Sequence, residues 1–285
     1  MTALVEATPV RRTRAPGTGA VLLWELEKLA AQWRTRLAFV VCLVGPFAFA
    51  GAMRVSQSLP SDTLFGRWIH DSGFAVPLVV LGFAGAWALP LLVAIVAGDI
   101  FSTEDHLGTW PLLLTRSVRP MTIYVAKLLA VACYSVAMIS ILAVSSTAAG
   151  LLVEGAHPLV TLSGGTVTGA GALSKIALSW ASVLLPSLAF AAFATSVSVL
   201  TRNSLAGIIG PTVVGLLLQL LLMLESISVI RDALPSTTFI AWHGYFMDPQ
   251  ALGSLHRGEV WSAVYLVAFC AVTLTVLARR DETNR

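Results

Sequence analysis

The sequence predicts an all-α membrane protein of six transmembrane helices, and three observations carry that prediction. Hydrophobic residues make up 56% of the 285 and charged ones only 12%, with a mean hydropathy of +0.83, which is more apolar surface than a soluble domain of this length can hide. Six stretches contain no Asp, Glu, Lys or Arg: 37–53, 74–98, 128–153, 176–200, 204–224 and 260–278. Each is long enough, or nearly so, to cross a hydrocarbon core about 30 Å thick as a helix. The runs are continuously apolar rather than alternating, so helices rather than a barrel must satisfy the backbone inside lipid.

Residues 1–20, with two prolines, two glycines and three arginines and no periodicity, read as a flexible tail. Across 21–36, Leu22, Leu26, Leu29, Ala30 and Trp33 recur at helical spacing while Glu25, Lys28, Gln32 and Arg36 take the other side. That pattern fits an amphipathic helix lying in the membrane interface, with Trp24 and Trp33 at the level indole prefers. A cytosolic extension of the first span is the alternative. The first span, 37–53, is short and holds Pro46, and arginine stems at Arg36 and Arg54 would snorkel from its two ends.

Between the second and third spans, 98–129 is too polar to cross. Thr109 can cap and Pro111 is tolerated in a first turn, so Trp110 to about Arg116 reads as a short helix, after which Pro120 blocks simple continuation. Trp110, Leu112, Leu113 and Leu114 expose more apolar surface than a solvated loop needs, which points to a protein partner. The 154–175 segment is Gly-, Ser- and Thr-rich and reads as a flexible loop. The connection 201–203 is a tight turn that makes its two helices antiparallel neighbours. The 225–259 segment is half apolar. Its Phe239, Trp242, Tyr245 and Phe246 suit either an interfacial re-entrant helix or a folded cap. Residues 279–285 form a short polar tail.

Lys and Arg set the orientation. With the N-terminus inside, only Arg54, Arg67, Lys175, Arg231 and Arg257 of the eighteen lie outside, so both termini are expected in the cytoplasm. Cys42, Cys133 and Cys270 fall within spans at no metal-binding spacing. Arg11 and Arg12 are followed by Glu25, Glu27 and Lys28 rather than by a signal-peptide core and cleavage site. No GxxxxGK[ST] occurs, so phosphates are not cradled by that device. The spans carry no interior acidic or basic residue of the kind that ion-coupled transporters use, since Lys127 and Lys175 fall at span ends. The five histidines lie in loops, away from any arrangement for hydrolysis or metal binding. No catalytic residue is expected.

The 98–129 stretch resembles the cytoplasmic loop of ABC-2 type permeases through Glu104 and Asp105, Gly108 and Thr109, Leu112 to Leu114, Arg119 and Lys127. The segment 22–36, LLWELEKLAAQWRTR, is similar to the amphipathic connecting helix that opens these permeases, and the six-span layout also matches. Trp110-Pro111 and Pro120 depart from the usual pattern and affect the register of the short helix.

The resemblance implies that 99–120 is a coupling loop, with Glu104, Asp105, Gly108, Thr109, Trp110, Leu113, Leu114 and Arg119 meeting a separate P-loop ATPase. Trp24, Glu25, Lys28, Trp33 and Arg36 would belong to the interfacial helix. It further implies two ATPase copies carrying ATP and Mg, a second permease copy or paralogue, no cofactor on this chain, no nucleic-acid partner, and a bacterial inner membrane location. Helix capping is an equal explanation of Glu104 and Asp105, and Gly108 is a turn glycine in either case. Gln219, Ser179, Ser182, Ser187, Thr195, Ser196, Ser198, Pro186 and Pro211 would either line a pathway or simply pack helices. The other functional classes are a membrane assembly or structural protein and a membrane enzyme. The first lacks a reason for the coupling loop, and the second lacks convergent polar groups.

Overall fold

The computed structural model describes residues 17–56, 64–108, 118–222 and 233–283. Among them, six helical stretches are long and apolar enough to cross a membrane, and the only sheet is a two-stranded hairpin. The protein is an all-α membrane protein.

The chain opens with α1 (Thr18–Ala31), which stops where Gln32 turns extended, and α2 (Trp33–Val55) then starts a new direction. α1 is therefore a separate helix, distinct from a straight extension of the first span, and α2 begins at Trp33, one turn ahead of the uncharged run. Pro46 inside α2 cannot donate to the Cys42 carbonyl, and the Ser145 hydroxyl donates to that oxygen at 2.7 Å. A proline defect in one span is thus repaired by a serine in another.

The second span is built in three parts: α3 (Val76–Phe83), a π-type turn at Ala84–Ala88, and α4 (Leu89–Ala97). The Leu89 N–H bonds the Ala84 carbonyl across that wider turn. Next come α5 (Ser102–Leu107) and the long α6 (Pro120–Val153). Proline suits the first turn of a helix, where no intrahelical partner needs its N–H. Pro120 therefore starts a helix that runs well ahead of residue 128.

The 154–175 segment is more ordered than a flexible loop. Leu159–Val160 (β1) pairs antiparallel with Thr166–Val167 (β2), and α7 (Gly169–Ser182) already begins before Lys175. α8 (Leu184–Thr201) continues from it, and Arg202 in the left-handed region turns the chain. The Asn203 side chain then caps α9 (Ser204–Leu221) by accepting from the Leu205 and Ala206 N–H groups. Short turns at Pro235–Thr238 (α10) and Ala241–Phe246 precede α11 (Gly253–Thr283). Helix α11 packs along α8, α2 along α6, and α9 against both α8 and α4.

The 233–252 part of the outer segment folds onto the helix ends. Phe239, Trp242 and Phe246 are buried, with Phe246 edge-on to Phe65 at 5.0 Å between ring centroids. The Leu162 N–H donates to the Phe246 carbonyl and Lys175 Nζ to the Tyr245 carbonyl. This end of the bundle is capped by aromatic packing. Ser179, Ser187, Thr195 and Ser196 are buried and return their hydroxyls to carbonyls one turn back, which is the geometry of helix packing.

Among the described residues, glycines bring the backbone of the second span against that of α9 and of α6. A Cβ on Gly98 would lie 2.2 Å from the Gly207 carbonyl oxygen, and one on Gly150 would lie 2.1 Å from the Gly73 oxygen. Pro211 leaves the Gly207 carbonyl without its usual i+4 donor.

Candidate functional site: the charged platform at the stems of the 109–117 segment

The bundle's other end, opposite the aromatic cap, gathers charges from helices far apart in the sequence. Lys127, two turns inside α6, is 0% exposed. Its Nζ donates to Glu25 Oε2 at 3.0 Å, to Glu104 Oε1 at 3.2 Å and to the Ile100 carbonyl at 3.2 Å. Three acceptors match the three donors of an ammonium group. Lys28 donates to the same Glu104 oxygen and reaches Glu25 at 3.3 Å.

Glu25, Lys28, Glu104 and Lys127 thus form a balanced group of two carboxylates and two ammoniums. Burial pulls the Lys28 ammonium toward neutrality, but its hydrogen bond to Glu104 and the attraction of both carboxylates outweigh this, so its pKa is raised.

Two expectations are corrected here. Glu25 does not share the polar side of α1: with Val21 and Leu29 it lies on the buried face, because Lys127 provides a partner that the local pattern does not reveal. Lys127 is no interfacial charge at a span end but a buried charge within a continuous helix. Such a group persists only when paired and fully hydrogen-bonded.

A second group lies beside the first. Arg34, in the first turn of α2, pairs with Asp99 just after α4, and the Ser204 hydroxyl at the start of α9 donates to the other Asp99 oxygen. On α5, Asp105 meets Arg280 of α11 at 3.5 Å, and Arg280 also donates to the Val199 carbonyl of α8. Glu104 and Asp105 occupy the first turn of α5 itself and have ion-pair partners of their own. Gly108 ends α5 in the left-handed region at φ +63°, a conformation that glycine adopts without strain.

Arg119 is exposed and precedes the first residue of α6, its carbonyl accepting from the Thr122 N–H at 2.9 Å. Trp24 and Trp33 are both exposed, Trp33 at 74%. The Arg36 guanidinium donates back to the Ala30 carbonyl across the α1–α2 break. Thr109, Trp110, Leu113 and Leu114, and with them the expected short helix, lie outside the described residues.

Helix α1 therefore holds both stems of the 109–117 segment. It reaches α5 through Lys28–Glu104. It reaches the start of α6 through Glu25–Lys127 and through an apolar cluster of Val21, Val118, Ile123 and Ala126. Asp99, Arg34, Ser204 and Arg280 were not singled out by sequence reading. Asp99 immediately follows a long apolar run, and that position was the available signal.

Six apolar helices above a braced polar platform define a multi-pass membrane protein. The family model for ABC-2 family transporter proteins matches residues 21–219, and the chain belongs to that family. It is a membrane transport component. No curated protein matches the chain.

Proposed function

We propose that the chain is the permease subunit of an ABC-2 type exporter, driven by a separate ATP-binding subunit docked on the 99–120 loop. The observation that carries this reading is the brace: α1 grips one stem of the 109–117 segment through the half-exposed Lys28–Glu104 pair and the other through the buried Glu25–Lys127 pair, and Lys127–Glu104 ties the two stems together. A load applied to that segment therefore passes to α4, α6 and α9 as rigid bodies. Such stiffness is what an external motor requires, and a passive assembly protein has no use for it.

In this reading two ATPases, carrying ATP and Mg, serve a pair of permease copies or paralogues in a bacterial inner membrane, with the platform and both termini cytoplasmic. Trp110, Leu113 and Leu114 supply the apolar contact with the ATPase, flanked by Glu104, Asp105 and Arg119.

The test is purification from native membranes in mild detergent, followed by ATPase measurement in nanodiscs. Wild-type protein is expected to bring down a P-loop ATPase at one copy per permease. Leu113→Asp with Leu114→Asp is expected to insert normally and lose the ATPase. Retention of a normally coupled ATPase by the double variant removes the assigned docking helix. Absence of any ATPase from the wild type turns the reading to an assembly or structural protein.

A further inference from the structure

Helices α8 and α11, which pack along each other, bring together a row of aromatic rings that the charged platform does not explain. On α11, Trp261, Tyr265 and Phe269 recur every four residues, and on α8 Phe190 and Phe193 are three apart, so each set shares one helix face. Trp261 stacks on Tyr265 at 5.9 Å between ring centroids, and Tyr265 on Phe269 at 6.4 Å. Phe269 tilts against Phe193 at 5.0 Å, and Phe193 meets Phe190 edge-on at 6.0 Å. The Tyr265 hydroxyl donates to the Ala233 carbonyl at 2.8 Å, which holds its ring in place.

Four of these rings, Phe190, Phe193, Tyr265 and Phe269, line a cavity of about 280 Å³ together with Val214 and Leu218 of α9. Among the described residues, none that lines it is charged. Phe193, Tyr265 and Phe269 are each partly exposed rather than buried. An apolar cavity of about 150 Å³ holds benzene, so one of about 280 Å³ has room for about two fused rings. An aromatic ring, with its negative face and positive edge, attracts another that lies offset or edge-on. An alkyl chain offers neither, and it loses more freedom on confinement than a rigid plane does.

We propose that this cavity binds an uncharged planar aromatic molecule of about two fused rings, held by Phe193, Tyr265 and Phe269. The inference goes beyond the permease reading and stands without it. Binding here needs no ATPase, so the failure of either reading leaves the other intact.

The test uses the full chain in phosphatidylcholine nanodiscs, photolabelled with a naphthalene bearing a diazirine and mapped by mass spectrometry. Saturable labelling is expected on α9 around Val214 and Leu218 and on α11 around Tyr265. Unlabelled naphthalene should displace the probe, whereas decalin, its saturated counterpart, should need about 5- to 30-fold more at equal mole fraction in the bilayer. Phe193→Leu and Phe269→Leu each keep the wall apolar and remove one ring. Either should weaken half-saturation by the probe about 3- to 10-fold and narrow the gap between naphthalene and decalin.

Val214→Trp supplies an independent check. Val214 is 38% exposed on α9, so a larger side chain has room there, and it should fill the cavity and abolish labelling even if a leucine variant does not fold. Equal competition by naphthalene and decalin identifies a crevice filled by lipid without preference for rings, and overturns the proposal. Labelling that fails to saturate, or that survives the folded variants unchanged, overturns it as well.

Discussion

Replacing Lys127 with Met tests the platform most directly. The substitution keeps an unbranched stem in a fully buried position but removes an ammonium that lies 3.0 Å from Glu25 and 3.2 Å from Glu104. Breaking a buried ion pair from one side costs about 3–5 kcal/mol, because the abandoned charge stays buried. Lys28 still faces both carboxylates, so the lower end, about 3 kcal/mol, is the expected loss. At roughly 2–4 °C per kcal/mol for a chain of this size, the unfolding midpoint should fall by roughly 6–12 °C.

Thermal unfolding in nanodiscs measures the shift, and a second substitution identifies its cause. Glu25→Gln added to Lys127→Met removes the stranded carboxylate, so the double variant should recover about 1–3 kcal/mol relative to the single one. A midpoint within about 2 °C of wild type for Lys127→Met, or purely additive losses in the double variant, would refute the paired-charge account.

Gly98→Ala should destabilise by about 1–3 kcal/mol, because its Cβ would meet the Gly207 backbone oxygen at 2.2 Å. Gly51→Ala, which meets nothing within 4 Å, should stay within about 0.5 kcal/mol of wild type in the same melt. His243 should make the protein acid-sensitive. Burial lowers its folded-state pKa to about 4 from an unfolded value near 6.5, so stability is full above about pH 6.5. It falls as the pH drops toward about 4, by at most about 3 kcal/mol. His243→Gln should flatten that part of the melting profile, and equal acid sensitivity in both proteins rejects the assignment. For topology, a reporter at residue 165 should be external and one at residue 106 cytoplasmic, and the reverse result overturns the orientation drawn from Lys and Arg placement.

Apolar runs made the spans legible, since bilayer length and backbone satisfaction leave few other readings. Charges were read less well, because the periodicity within a helix cannot show what another helix brings to it. Glu25 looks polar-facing beside Lys28, yet its partner Lys127 is 102 residues away. The Arg34–Asp99 pair spans 65 residues and the Ser204–Asp99 contact 105, so neither could be seen locally. The start of α7 at Gly169 was hidden by a Gly-rich composition that usually marks a loop. Trp242 was picked out as one of four aromatics, but its lack of a partner depends on atoms contributed by other elements.

The π-type turn at Ala84–Ala88 has a geometric consequence for the second span. A wide turn inserts one residue, which offsets the faces of α3 and α4 by about 100° relative to an uninterrupted α-helix. With that offset, Gly73 meets Gly150 at one end of the span while Gly98 meets Gly207 at the other. Deleting a single residue from Ala84–Ala88 would wind the stretch into regular α-helix and shorten it by about 1.5 Å. The two glycine contacts could not then both be kept. The span is phased like a key cut on two sides, and its one irregular turn sets the angle between the cuts.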